Sequence, residues 1–246
     1  MPERSGRLDR GGGVLPALPA FTGTDGPGPA LPDAVAALGL APRRDGLVHC
    51  PPPSRSAVPL LVLLHGAGGT AAQAMALALD RSEAAGAVLL APQSRAATWD
   101  VIGGAWGPDV RFIGQVMGHV AARIRIDPAR IVVGGFSDGA SYALSLGLIN
   151  GRLFRTILAF SPGFVVATRA EGRPEVFISH GTGDTVLPIE QCSRRLVPRL
   201  RAAGYDVRYR EFPGGHVVPP ELAAEALAWA LRPIDPRAPD HRGAKP

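Results

Sequence analysis

Six short apolar runs alternate with helical periods between residues 60 and 231, and this predicts an α/β fold with a mostly parallel sheet and helices on both faces. The runs are continuous rather than alternating, as in strands buried on both sides. Each is bounded by Gly, Pro or Asp, the residues that end strands. They are 60–65 (LLVLLH), 87–91 (AVLLA), 130–136 (RIVVGGF), 156–160 (TILAF), 175–180 (EVFISH) and 206–212 (DVRYREF).

Helices are expected between them. Residues 109–125 place Ile113, Val116, Met117, Val120 and Ile124 on one face at a spacing near 3.6, and Asp127-Pro128 marks the stop. Residues 137–149 end at Asn150-Gly151, a C-terminal signal, and 221–231 form a short amphipathic closing helix. Residues 190–204 are periodic too, and Pro198 should kink or shorten that helix.

Composition bounds the rest. With 46% hydrophobic residues, 19% charged and a mean hydropathy of +0.12, the 246-residue chain can bury a core and is not a disordered protein. Thirteen of the first 32 residues are Gly or Pro, so 1–32 reads as a flexible arm; 233–246 reads as a flexible tail, and 33–232 as one domain. The longest apolar run, 57–64, is far shorter than the ~20 residues of a membrane-spanning helix, so no span is expected. No apolar segment follows the charged N-terminus as in a secretory signal, and a cytoplasmic location is the expectation. Cys50 and Cys192 are too few for a disulfide framework and have no metal-ligand spacing; reduced thiols are expected. The net charge of +5 is carried almost wholly by arginine, Lys245 being the one lysine. Arg194, Arg195, Arg199 and Arg201 crowd one segment without interleaved aromatics, which suits a solvated helix face and not a nucleic-acid surface.

The chemistry sits at strand ends, where open α/β sheets place their sites. The run 130–134 leads directly into Gly135-Phe136-Ser137-Asp138-Gly139 and then a helix, so a serine flanked by glycines occupies a tight strand-to-helix turn. A hydroxyl needs a base, and the base needs an orienting group. Asp184 follows the run 175–180 in HGTGDTVLP, and His216 follows 206–212 in PGGH. Ser137, Asp184 and His216 are therefore the candidate nucleophile, acid and base, in the order Ser, Asp, His. The glycine-rich loop after the first run, His65-Gly66-Ala67-Gly68-Gly69, offers backbone N–H donors, and Ala67 and Asp138 are the candidates for an oxyanion hole. His65 and His180 open their loops and are expected to brace them. Trp99, Trp106 and Phe164 are the candidate walls of a substrate cleft. Only 161–174 separates two strands at the site, too short for a large lid.

LLHGAGG, GFSDGASYALSLGL, SHGTGDTVLP and GGHVVPPEL, spread over about 170 residues, resemble a serine esterase of the α/β-hydrolase superfamily, in particular the phospholipase/carboxylesterase group with its acyl-protein thioesterases. Asp138 departs from that group, which commonly has Gln after the nucleophile. IDPARIVVGGFSDG and HGTGDTVLP are also similar to polyhydroxybutyrate-depolymerase-like and feruloyl esterases. The resemblance implies the α/β-hydrolase fold, the triad named above, no metal or organic cofactor, and a small-molecule ester as substrate, thioesters being open to the same parts; the short 161–174 segment, leaving an open and modest apolar cleft, adds the expectation of short to medium acyl chains. A serine peptidase, or a non-catalytic binding protein on this fold, are the alternatives.

Overall fold

A computed structural model describes residues 13–19, 35–167 and 169–233. The chain runs β1 (Ala36–Ala37), β2 (Gly46–His49), β3 (Val58–Leu64), α1 (Ala71–Ala84), β4 (Val88–Pro92), α2 (Pro108–Ala121), β5 (Ile126–Phe136), α3 (Asp138–Ile149), β6 (Thr156–Phe160), β7 (Glu175–Gly181), α4 (Ser193–Ala202), β8 (Val207–Phe212) and α5 (Pro220–Ala230). The sheet order is β1-β2-β4-β3-β5-β6-β7-β8. β1, β2 and β4 pair antiparallel, and every other pairing is parallel.

The unbroken apolar run of β3 is explained by its two covered faces. Leu60, Val62 and Leu64 pack in one core with residues of α2 and α3, while Leu61 and Leu63 pack in the other with α1 and α5. Successive strand side chains point to opposite faces, so both sets are buried only when helices lie on both sides. After β4 the chain crosses to the other side of β3, and β5 pairs there from Val58↔Ile126 to Leu64↔Gly135. This reversal of strand order opens a crevice at the carboxyl ends of β3 and β5.

All six expected strands are present within two residues at each end, except that β5 begins four residues early, at Ile126. Three elements have no counterpart in the sequence reading: the two-residue β1, β2 and α1. α1 buries Ala71, Ala74, Met75, Ala78 and Ser82, a face of small residues with little hydrophobic contrast, and starts on a capping box between Thr70 and Gln73. β2 is four residues long and pairs antiparallel with β4. α4 is shortened as expected: it starts at Ser193, and Pro198 lies within it. The edge strand β8 carries Arg208, Arg210 and Glu211, charges that discourage further strand pairing.

The N-terminal arm needs correction over residues 13–19; residues 1–12 and 20–34, and the tail beyond residue 233, lie outside the described residues. Leu15 is buried in the core on the α2–α3 side, and Leu18 packs against it. The Asn150 side chain donates to Gly13 O and accepts from the Leu15 N–H, both at 2.8 Å. Pro16 lies against Gly114 of α2, where an added Cβ would come within 3.0 Å. One glycine and two prolines in seven residues suggested a segment without a buried face, yet one leucine and two backbone hydrogen bonds suffice to dock it. Deleting residues 1–19 is therefore expected to lower the unfolding free energy by about 2–5 kcal/mol, from one buried leucine and an unpaired Asn150. Urea denaturation of the full and truncated chains measures it.

Candidate active site

The turn after β5 depends on two glycines. A Cβ on Gly139 would meet the carbonyl oxygens of Leu64 and His65, and one on Gly135 would meet Gly139 at 2.5 Å, closer than side chains ever come. With no side chain at either position, the start of α3 sits directly against the end of β3. Between them Ser137 adopts φ 58° and ψ −122°, a conformation rare for a residue with a side chain. The Ser137 N–H donates to Phe160 O at 2.9 Å, continuing the sheet to the turn itself.

Three loops meet there. Ser137 Oγ lies 2.8 Å from His216 Nε2, and His216 Nδ1 lies 2.6 Å from Asp184 Oδ2. Because the carboxylate can only accept, the proton of the neutral imidazole sits on Nδ1, and Nε2 accepts from the serine hydroxyl. The other oxygen, Asp184 Oδ1, accepts the N–H groups of Val186 (2.9 Å) and Leu187 (2.8 Å). Burial works against the Asp184 charge, but the hydrogen bonds from His216, Leu187 and Val186 outweigh it and hold the carboxyl below its ordinary range. The Phe136 ring packs on the His216 imidazole at 4.7 Å. The loops carrying the acid and the histidine are joined directly, by Thr182 N–H to Phe212 O and Gly183 N–H to Gly214 O, both 2.9 Å.

The loop after β3 is equally fixed. His65 Nδ1 lies 2.7 Å from Gly66 O, while Nε2 faces the side-chain amide of Gln93 (2.8 Å) and the Ser94 N–H (3.2 Å). Burial lowers the pKa of His65, consistent with a neutral brace. Gln93 also donates to Gly69 O and accepts from Ala71 N–H, so one side chain ties β4 to the whole loop. Ala67 N–H makes no backbone hydrogen bond among the described residues, and Asp138 N–H opens α3, where helical N–H groups have no partner within the helix. The Asp138 carboxylate accepts from Thr98 Oγ at 2.7 Å.

A cleft of about 480 Å³ opens beside His216, lined by the 65–69 loop, Ala74 and Leu77 of α1, Phe136, Val217 and Val218. The expected walls lie elsewhere. Trp99 is 1% exposed and donates its indole N–H to His65 O, with its ring against Tyr142. Trp106 is buried on Tyr142 and against Gly13 of the docked arm. Both are core residues that support the loop from behind, as large rings bury most surface where they are enclosed. Phe164 is half-buried and does not line this cleft. The loop bearing Trp99 and Trp106 is pinned by Asp100 and Asp109, each accepting the other's backbone N–H at 2.7 Å; burial pushes Asp109 up to about 6. Gln93, Thr98, Asp100 and the α1 wall were not legible in the sequence, since no motif marks them.

The fold recurs in known proteins. Residues 110–227 match a phospholipase/carboxylesterase family model. The chain has the α/β-hydrolase fold. It is 31% identical to acyl-protein thioesterase 1 of Gibberella zeae over 122 residues, 46% of this chain and 52% of that protein. It is 28% identical to a probable feruloyl esterase C of Aspergillus clavatus over 41% of this chain and 36% of that protein. The matched segment thus spans about half or less of these relatives' length. Among solved structures, esterase PE8 superposes with a TM-score of 0.58 at 27% identity, covering 75% of this chain and 96% of that one. A phospholipase/carboxylesterase from Dyadobacter fermentans gives a TM-score of 0.59 at 24% identity, with 75% and 95% covered.

The close approach at Gly139 carries its own expectation. Gly139→Ala should destabilise the protein by about 3 kcal/mol or prevent folding, because backbone rather than a movable side chain blocks the added methyl. Gly103→Ala, where nothing lies within 4 Å, is the control. Thermal melts of the two variants check it.

Proposed function

We propose that the chain is a carboxylesterase-type serine hydrolase that cleaves esters, and thioesters by the same route, through an acyl-enzyme on Ser137. The observation that carries this reading is the unbroken hydrogen-bond line from Ser137 Oγ through His216 to Asp184, at 2.8 and 2.6 Å. His216 takes the Ser137 proton as Oγ attacks the substrate carbonyl, and Asp184 stabilises the imidazolium that forms. The backbone N–H groups of Ala67 and Asp138 receive the oxyanion, aided by the positive end of the α3 dipole. The alcohol or thiol leaves with the proton held by His216. Water, deprotonated in turn by His216, then releases the carboxylic acid and restores Ser137.

The substrate is a small molecule with a short to medium acyl chain. Ala74, Leu77, Phe136, Val217 and Val218 supply apolar surface, and each methylene adds about 0.8 kcal/mol while there is surface to bury it. The only chain between β6 and β7 is 161–174, too short for a domain-like lid, so turnover should need no lipid surface.

Ser137→Ala, His216→Ala and Asp184→Asn are each expected to reduce ester turnover by about three orders of magnitude or more with the fold intact. A fluorophosphonate probe should label the wild-type chain and not Ser137→Ala. Full activity in folded Ser137→Ala would end the reading, whereas a wild-type chain that is neither labelled nor active on esters would favour a binding protein. On a panel of p-nitrophenyl esters, acyl chains of about four to eight carbons should give higher kcat/KM than sixteen. The highest value on palmitate, or activity only above the micelle threshold, would contradict the lidless cleft.

A further inference from the structure

The buried hydrogen bonds do not stop at Asp184. His180, at the end of β7, is wholly buried, and its Nε2 lies 2.8 Å from Leu187 O and 3.2 Å from Asp184 Oδ2. That is the same carboxylate oxygen that accepts from His216. His180 Nδ1 lies 2.7 Å from the hydroxyl of Ser193, the first residue of α4, itself fully buried. We propose that His180, set by Ser193, is a positioning residue for the Asp184–His216 pair: it holds the acid-bearing turn closed and shares the oxygen that orients the base. This rests on the reading of Ser137, His216 and Asp184 given above.

The partners fix the tautomer. Nε2 faces two acceptors and must carry the proton, so Nδ1 accepts from the Ser193 hydroxyl. Burial lowers the pKa of His180, so it acts as a neutral dipole. A neutral donor on Asp184 Oδ2 leaves the carboxylate charged while drawing some of its electron density away from His216. The bond to Leu187 O closes the turn 181–187 from one side, and Leu187 N–H to Asp184 Oδ1 closes it from the other. A histidine that only braced the loop would need Leu187 O and not the carboxylate. The groups around His180 are Asp184 and His216 on the loops, Cys192 and Ser193 at the start of α4, and Glu211, its register partner on β8, which is bonded to Arg194.

The test uses the full chain with His180→Ala, His180→Gln and Ser193→Ala, reading kcat, KM and the pH profile on p-nitrophenyl butyrate together with the melting temperature. His180→Ala should lower kcat about ten- to hundredfold with KM changed by less than about threefold. Its acid limb of kcat/KM should move to higher pH, because an unshared Asp184 charge favours the imidazolium of His216. His180→Gln, whose amide offers an N–H to the same acceptors, should recover part of the loss, and Ser193→Ala should move both readouts in the same direction by less. If His180→Ala does not fold, the other two variants decide. Folded variants with wild-type kcat and an unmoved acid limb would overturn the proposal, as would a lower kcat that tracks only a lower melting temperature. Ser137→Ala run beside them separates the two readings: full activity there defeats the triad itself, whereas an inactive Ser137→Ala beside unaffected His180 variants defeats only the positioning role.

Discussion

Everything at the site depends on how closely the start of α3 approaches the end of β3. That approach is possible only because Gly135 and Gly139 present no side chain to Leu64 O, His65 O and each other. It places Ser137 on a turn with φ 58°, a conformation that costs about 1–3 kcal/mol and persists because the packed sheet on one side and a helix buried from Gly139 onward on the other leave the chain no alternative. The same contact brings the 65–69 loop beside the serine, since Gly66 faces the Ser137 Cβ at 3.3 Å. Candidate nucleophile and candidate oxyanion donors are thus positioned by one backbone contact.

Charge placement follows a similar economy of parts. Asp184 has a wholly enclosed side chain, and an ion there is tolerable only with its lone pairs filled. Two amides of its own turn fill one oxygen, and two imidazoles from different strand ends share the other. Each donor also closes a loop, so the satisfaction of the charge and the rigidity of the site arise from the same bonds.

The loop after β4 shows how a correct location can carry a wrong role. Trp99 and Trp106 do lie in a loop at the carboxyl end of the sheet, yet their rings stack on Tyr142 beneath the site and brace it. Large aromatics in a loop are attractive as cleft walls on composition alone; which way they turn is set by whether a cavity in the core is waiting for them. Here Tyr142 on α3 and the docked segment 13–19 form that cavity. The cleft wall is made instead by Ala74 and Leu77 of α1, a helix whose alanine-rich face gave no clear period.

The sequence by itself determined the α/β class and six of the eight strands, and singled out 137, 184 and 216 as candidate site positions, because continuous apolar runs, glycine spacing and turn chemistry are local properties that each few residues express alone. Tertiary structure alone decided what those positions touch. No spacing reveals that His180 reaches Asp184, that Asn150 captures Gly13 and Leu15 across more than 130 residues, or that Gln93 ties β4 to the 65–69 loop. The last two join segments remote in sequence, the first depends on how one loop folds back on its own strand, and in all three the partners are common residues whose type carries no signal until the fold sets them side by side.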